Sequence, residues 1–340
     1  MVDFYGEGLP LDIAPLVSIC CLTYNHEAYL RDTLEGFLMQ RVDFPLEILI
    51  NDDASTDGTR AIIREYAEKY PALIRPFYQD VNLYSQGKDL CLEVLYPAAR
   101  GKYIALCEGD DYWTDPLKLQ MQVDFLEAHP DYSACVHDTV VHYCGGEKPD
   151  RPLLHHGQDC DVRFEDVLFG MSHAFHTSSI VARKAIIAHP ADFFYVGLAH
   201  GFGDHPDGLW MITNGPVRCL DKCMSVYRMH SNNASWSTLV DGAYDKMLEF
   251  FNGKLALLRA YRPYAAPERL AAVDEAILET EFEMMRFEGQ DREQRKPPYD
   301  RILRKQSLSY RAVNLVKCLF PGLQRLYRKL RGYGGQTKAE

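Results

Sequence analysis

Short apolar runs and helical stripes follow one another along the first 140 residues. Residues 16–23 form a continuous apolar run of strand length, broken by Tyr24-Asn25-His26. From 27 to 40, Tyr29, Leu30, Leu34, Phe37 and Leu38 fall on one face of a helix. A second strand at 46–51 runs into Asp52-Asp53-Ala54-Ser55-Thr56-Asp57-Gly58-Thr59, and a helix at 60–69 turns Ile62, Ile63, Tyr66 and Ala67 inward. The same pattern predicts a strand at 74–79, a helix at 88–99, a strand at 102–107 and a helix at 116–129. In that last helix Leu117, Leu119, Gln120, Val123, Phe125 and Leu126 are expected to be partly buried. Strands alternating with helices at this period predict crossover units and a mainly parallel, twisted sheet flanked by helices. A strand at 133–141, a polar loop at 142–162 and an edge strand or pair at 217–227 are expected to follow.

Within this order, Cys107-Glu108-Gly109-Asp110-Asp111-Tyr112-Trp113 stands out. Two adjacent carboxylates sit at the carboxyl end of a buried strand, just before the helix-start signal Thr114-Asp115-Pro116. Open α/β sheets bind ligands at that edge. Carboxylates this close repel and drift toward protonation unless a cation joins them, and a divalent metal carrying a phosphorylated ligand is the natural complement. A bare Asp-Asp pair is more often a solvated turn; the strand before it, the Gly109 hinge and the flanking aromatics favour a site here. The Asp52-Asp53 turn is expected at the same sheet edge.

Composition narrows the picture. With 340 residues, 47% apolar and 25% charged, the chain can bury a full core and carry an appendage. A net charge of −11 argues against general nucleic-acid binding. Ten scattered cysteines include no Cys-x2-Cys pair, so buried thiols in a reducing cytoplasm are expected rather than zinc or disulfides. No signal segment opens the chain and no apolar run reaches membrane-spanning length. From about 244 the spacing turns helical, with Met247, Leu248, Phe251, Leu255, Leu258, Leu270, Val273, Ile277 and Leu278 on inner faces. Residues 301–331 carry nine Lys/Arg and no Asp or Glu, interleaved with apolar positions. Such a tail suits an anionic membrane surface or the protein's own acidic body.

Three stretches together carry a resemblance: Val17 through Asn25 (VSICCLTYN), Glu47 through Thr59 (EILINDDASTDGT) and Gly101 through Asp111 (GKYIALCEGDD). In this order and spacing the chain resembles the family 2 inverting glycosyltransferases of the GT-A fold, closely over about 16–140 and more loosely to about 237. The resemblance implies a GT-A domain over 1–240, with a nucleotide-binding half at 16–140 and an acceptor half at 141–240. A helical extension would occupy 241–340. It also implies transfer of a sugar from a nucleoside-diphosphate-sugar to a hydroxyl of a glycan or lipid-linked oligosaccharide, as in bacterial surface polysaccharide synthesis, with Mn2+ or Mg2+.

Carried onto this sequence, the family's turns make Thr23, Tyr24 and Asp53 contacts for base and ribose, with Glu27 and Lys88 as further nucleotide candidates. Asp53, acceptor-only, can take a ring N3–H, which uracil and thymine share, so UDP- and dTDP-sugars both fit. Asp110 is expected at the ribose or a metal-bound water, and Asp111 on the metal. His230, in Tyr227-Arg228-Met229-His230, matches a late histidine that completes the metal site. Asp204, in Gly203-Asp204-His205-Pro206, matches the general base, although Gly203 stands where the family has an acidic residue and Asp207 competes. His173, His176, His200 and His205 match no compact zinc pattern and are expected to hydrogen-bond on the acceptor side. Trp113, Trp210 and Trp236 suit sugar stacking or core equally. Two other readings are a catalytically silent sugar-nucleotide-binding subunit and a metal-dependent phosphatase. The second usually needs Asp-x-Asp after the first strand, where Thr23-Tyr24-Asn25 stands. The expected place is the cytoplasm, peripheral to the inner face of the plasma membrane.

Overall fold

The structure is a computed structural model describing residues 14–146, 148–154, 156–170, 173–199, 202, 204–230 and 244–319. The chain divides into two compact units, residues 1–233 and 234–340.

The first unit is built on one sheet. Its strands are β1 Val17–Thr23, β2 Leu46–Asp52, β3 Ile74–Tyr78, β4 Tyr103–Leu106, β5 Tyr112–Trp113, β6 Ala134–Tyr143, β7 Arg151–Pro152, β8 Cys160–Asp161, β9 Val181–Arg183 and β10 Val217–Met229. They lie in the order β3-β2-β1-β4-β9-β6-β10-β5, with β7 on β6 and β8 on β10. The longer helices of this unit are α1 Leu30–Leu38, α2 Thr59–Lys69, α3 Lys118–Ala128 and α4 Asp204–Thr213. This is the α/β architecture expected from the alternation of strands and helices. β3, β2, β1 and β4 are mutually parallel. All of β2 and all of β1 but Leu22 are buried, which is why both read as continuous apolar runs. Leu30, Leu34 and Phe37 of α1 and Ile62, Ile63 and Tyr66 of α2 join the same core.

Beyond β4 the sheet is mixed. β9 runs antiparallel to both β4 and β6, while β6 and β10 are parallel to each other. β10 is also no edge strand, since it lies between β6 and β5. Other boundaries shift. Residues 26–29 form a turn in which Tyr29 and Leu30 N–H groups both bond the His26 carbonyl, so α1 starts later than its apolar spacing suggests. The 88–99 segment is a π-helical turn, Cys91–Leu95, followed by Tyr96–Ala98. Asp115 accepts the Leu117 N–H at 2.8 Å, and α3 begins after it. That start leaves Leu117 46% exposed and buries Lys118 completely. The Lys118 ammonium lies 4.1 Å from the Trp113 ring centroid and donates to Gln122 at 2.9 Å; burial pushes its pKa down to about 7.

At the amino end of the sheet, Glu47 is a buried carboxylate on β2. It accepts from the Arg100 N–H, the Ser18 hydroxyl and the guanidinium groups of Arg100 and Arg75 at 2.7–3.2 Å. Burial alone would raise its pKa; these donors outweigh that and hold it below the usual value. A depressed carboxylate stabilises the fold above its unfolded pKa and loses that contribution as pH falls through its folded pKa. Glu47→Gln is therefore expected to cost about 2 kcal/mol near neutral pH, less than a fully buried pair because both arginines are half exposed. It should also flatten the acid limb of a stability–pH curve below about pH 4.5, read by urea unfolding.

The second unit is helical where described. α5 Tyr244–Tyr261 packs on α6 Leu270–Glu288, burying Leu257, Leu258, Tyr261 and Val273. Phe282 of α6 forms a smaller core with Ile302 and Leu303 of the short helix Asp300–Lys305. Arg301 and Lys305 pair with Glu275 of α6, and Arg304 with Asp300. The first basic residues of the tail are thus neutralised within this unit. Helix α7, Leu308–Leu319, is the last described element, and residues 320–331 of the basic tail lie outside the described residues. No helix among the described residues is long and apolar enough to cross a membrane.

Candidate active site

The turns after β1, β2 and β4 meet at the carboxyl edge of the parallel strands, because three strands in parallel register must end on one side. Asn25 and Ala54 hold positive φ angles of 56° and 61° in the first two turns. Such conformations cost energy and persist only where the surroundings impose them. Here the Asn25 side chain accepts the Thr56 N–H at 2.8 Å, and the Asn25 N–H donates to Ser55 at 2.9 Å. Gly109 completes the junction: a Cβ there would lie 2.5 Å from the Thr23 methyl and 2.9 Å from His26 Nδ1. No larger residue could let the acidic turn approach β1 so closely.

The acidic turn is gripped from two sides. Thr33 of α1 places its hydroxyl 3.0 Å from the Gly109 carbonyl and 2.6 Å from that of Asp111. From β10, the Arg228 N–H donates to Asp111 Oδ1 at 2.9 Å, and its guanidinium donates to the Asp110 carbonyl and to Asp32. That guanidinium also lies 4.2 Å from the Tyr112 ring centroid.

Ligand atoms of Glu108, Asp110 and Asp111 lie within 4.8 Å of one another. Asp110 Oδ2 is 3.1 Å from His230 Nε2 and 3.7 Å from His26 Nε2, and Asp111 Oδ2 is 3.8 Å from His176 Nδ1. Asp110 Oδ1 and Asp111 Oδ2 are buried with no hydrogen-bond partner. Burial and then the charges of Asp110 and Glu108 push the Asp111 carboxyl well above its ordinary value. Desolvation by the cleft walls, then the charges of Asp110 and Asp204, raises Glu108 to about 8, although its side chain still reaches solvent. Asp110 goes the other way: burial would raise it, but the His230 hydrogen bond and nearby imidazoles hold it low. Two orphaned carboxylate oxygens beside a third acid and an imidazole fit a divalent cation, which would satisfy the oxygens and relieve the repulsion.

The other expected residues divide. Tyr24 is 45% exposed, its ring open to a ligand. Thr23 is buried and donates its hydroxyl to the Asn51 carbonyl at 3.0 Å, so it positions the turn rather than offering that hydroxyl. Asp53 is buried too, and its two oxygens accept the Leu83 and Tyr84 N–H groups at 2.7 and 3.0 Å. It anchors the 82–87 loop with lone pairs to spare for one further donor. Glu27 accepts the Gly58 N–H at 2.8 Å, tying the first turn to the second. Lys88 is exposed and pairs with Glu93 at 3.1 Å. His230, expected beside Asp111, faces Asp110 and stacks on Tyr29 at 4.5 Å. Asp204 opens α4, reachable by solvent, yet crowded enough that desolvation raises its carboxyl. Its charge reaches Glu108 and Tyr84, on the side of the acidic turn. Asp207, one turn on, is buried among other groups and feels Asp89.

Sequence reasoning missed Glu108, His26, Thr33 and Tyr84 as members of this cleft, and expected His176 to hydrogen-bond on the acceptor side, whereas it lies beside Asp111. Glu108 stood inside a quoted motif and His26 directly after another, but nothing in the spacing said which way they point. His176 stacks on Tyr227 at 4.3 Å and accepts the Ser178 N–H at Nδ1; burial lowers its pKa to about 4. His205 is structural, bonded to the Val167 carbonyl at 2.7 Å. Trp113 is core, donating to the Ser178 carbonyl, and Trp210 donates to that of Ile186. His200, Gly203 and Trp236 lie outside the described residues.

A family model described as Glycosyl transferase family 2 matches residues 18–188. Rv1520 of Mycobacterium tuberculosis strain H37Rv, an uncharacterized protein, is 40% identical over 233 residues, 66% of this chain and 62% of its own length. The chain thus spans about three fifths of the length of this relative. An Escherichia coli protein, UDP-Glc:alpha-D-GlcNAc-diphosphoundecaprenol beta-1,3-glucosyltransferase WfaP, is 34% identical over 112 residues, 33% of this chain and 41% of its own. Among solved structures, S. aureus TarS 1-349 in complex with UDP-GlcNAc superimposes with a TM-score of 0.58 at 18% identity. That match covers 87% of this chain and 77% of TarS, and it concerns the fold.

Proposed function

This chain belongs to glycosyl transferase family 2, and on that premise we propose that it is a metal-dependent, inverting hexosyltransferase. Its donor is a UDP- or dTDP-sugar, and its acceptor is a hydroxyl of a glycan or lipid-linked oligosaccharide of a bacterial surface polysaccharide. The observation that carries this reading is the pair of buried, unpartnered oxygens on Asp110 and Asp111, beside Glu108 and at the edge where the β1 and β2 turns converge. The name of the E. coli relative supports a uridine donor and a lipid-diphosphate-linked acceptor.

In the proposed mechanism Tyr24 and Asp53 hold the base, with Asp53 accepting N3–H while it anchors the 82–87 loop. Asp111 and His230, with Asp110 hydrogen-bonded to His230, would hold Mn2+ or Mg2+. The bound cation would neutralise charge gathering on the departing diphosphate. Arg228 and Thr33 keep the acidic turn rigid, so that its oxygens need no rearrangement on binding. Asp204 accepts the proton of the acceptor hydroxyl as its oxygen attacks the anomeric carbon and the bond to the diphosphate breaks on the opposite face. Its raised carboxyl suits that role, since a less acidic carboxyl is a stronger base.

Calorimetry with UDP-, dTDP-, GDP- and CDP-sugars, with and without Mn2+, tests the reading. Uridine and thymidine compounds are expected to bind at least about tenfold more tightly than the others, and only with metal. Equal binding of all four, or binding indifferent to metal, would overturn it. Tight binding without transfer to any acceptor would return the silent-subunit reading.

A further inference from the structure

Helix α7 is amphipathic, but it is packed with its polar side inward. Asn314 is 1% exposed and donates to the Gln294 side chain at 2.8 Å and to Asp291 at 3.3 Å. Tyr310 packs on the small core of Phe282, Ile302 and Leu303 and donates to Gln294. The apolar residues point away. Leu308, Leu315, Val316 and Leu319 are 79%, 44%, 46% and 63% exposed. With Ala312 they occupy an arc of roughly 100° at helical spacing, a stripe that in an ordinary surface helix would face the core.

One edge of this stripe is basic. Leu308, Ala312 and Leu315 share a cleft of about 470 Å³ with Arg295, Arg304 and Arg311. Arg304 is matched by Asp300, but neither Arg311 nor Arg295 has an acidic partner among the described residues; Arg295 donates one N–H to the Arg311 carbonyl at 3.3 Å, and its Nε is buried without an acceptor. In the sequence, no acid follows Asp300 until Glu340. A contiguous apolar stripe bordered by unmatched arginines is the arrangement of a helix lying in a bilayer interface, with side chains at the acyl boundary and guanidinium groups on phosphates. A second copy fits less well, because a two-fold contact through this face would bring the arginines of both copies together.

We propose that the outward face of α7, with Arg295 and Arg311 at its edge, docks this chain on an anionic lipid surface. The proposal deepens the reading of a lipid-linked acceptor, but its test requires no sugar transfer. The full chain is floated with phosphatidylcholine vesicles, with and without about one third phosphatidylglycerol. Wild type is expected to float only with the anionic vesicles, and at least about tenfold less in ~0.5 M salt. The double variant Leu315→Asp/Leu319→Asp should lose at least about tenfold of this binding, and Arg311→Glu several-fold. Arg311→Lys should retain most of it. Each variant should bind uridine diphosphate with Mn2+ as wild type does, which separates lost docking from lost folding. The proposal is overturned if wild type does not float, or if the double variant floats as well as wild type. It is overturned equally if wild type is a dimer that the double variant makes monomeric. Flotation without transfer would sink the transferase reading and leave the docking surface standing.

Discussion

An Asp111→Asn variant is expected to lose sugar transfer by at least about a thousandfold and to lose metal-dependent nucleotide binding with it. Asparagine keeps the shape of the side chain, and its carbonyl oxygen can still accept the Arg228 N–H that now reaches Asp111 Oδ1. What disappears is the charge on the one oxygen of this residue that the protein leaves without a partner. Stability should move the opposite way. A carboxyl whose folded pKa is raised contributes stability that is present below its unfolded pKa and lost as pH rises through its folded pKa. Above that unfolded value the metal-free wild type therefore loses stability at this site, where any charge on the carboxyl is crowded by Asp110 and Glu108. Removing that charge is expected to raise the melting temperature of the metal-free protein by a few degrees, on the order of 1 kcal/mol. The same change should abolish the further rise that Mn2+ with UDP gives the wild type. Differential scanning fluorimetry with and without metal reads both effects; unchanged transfer in the variant would remove Asp111 from the metal site.

Asp204→Asn should cost at least about a thousandfold in kcat while leaving the donor dissociation constant within about threefold of wild type. The residue opens α4 on the side of the acidic turn, close enough for its charge to raise Glu108. In wild type, kcat is expected to rise with pH through a value above the ordinary carboxylate range, since desolvation raises the Asp204 carboxyl and only its ionised form takes a proton. Asp207→Asn is the control. Asp207 is more deeply buried and its Oδ1 lacks a partner, so its replacement should alter stability more than turnover. If Asp207→Asn loses turnover and Asp204→Asn keeps it, the base is Asp207 and the alignment of this motif moves by one helical turn. Single-turnover kinetics with saturating donor separates the outcomes.

Much of the architecture of the parallel strands was legible in the chain, and the reason is local. β1, β2 and β4 are buried on both faces, so each is a plain apolar run, and each ends in polar residues that cannot continue a core strand. Parallel pairing then obliges their turns to share an edge, whatever the details of packing. Residues acting through side-chain direction were harder to read. Lys118 was not among the positions expected to be buried, yet the helix starts two residues later than Thr114-Asp115-Pro116 suggests, and packing puts the amine against Trp113. The mixed half of the sheet was also hidden, because a three-residue strand such as β9 is too short to show a period.

By itself, then, the order of apolar runs and polar breaks determined the parallel strands, the edge at which their turns converge and the presence of an acidic pair there. Only the tertiary structure decided which atoms are committed and which are free. Thr23 and Asp53 spend hydrogen bonds on neighbouring turns, whereas Asp110 Oδ1 and Asp111 Oδ2 are left without any. Likewise, the sequence contained an amphipathic helix at 308–319, but only packing showed its polar side to be the buried one. The physical reason is common to all of these: periodicity reports which residues share a face, while partners distant in sequence decide what that face meets.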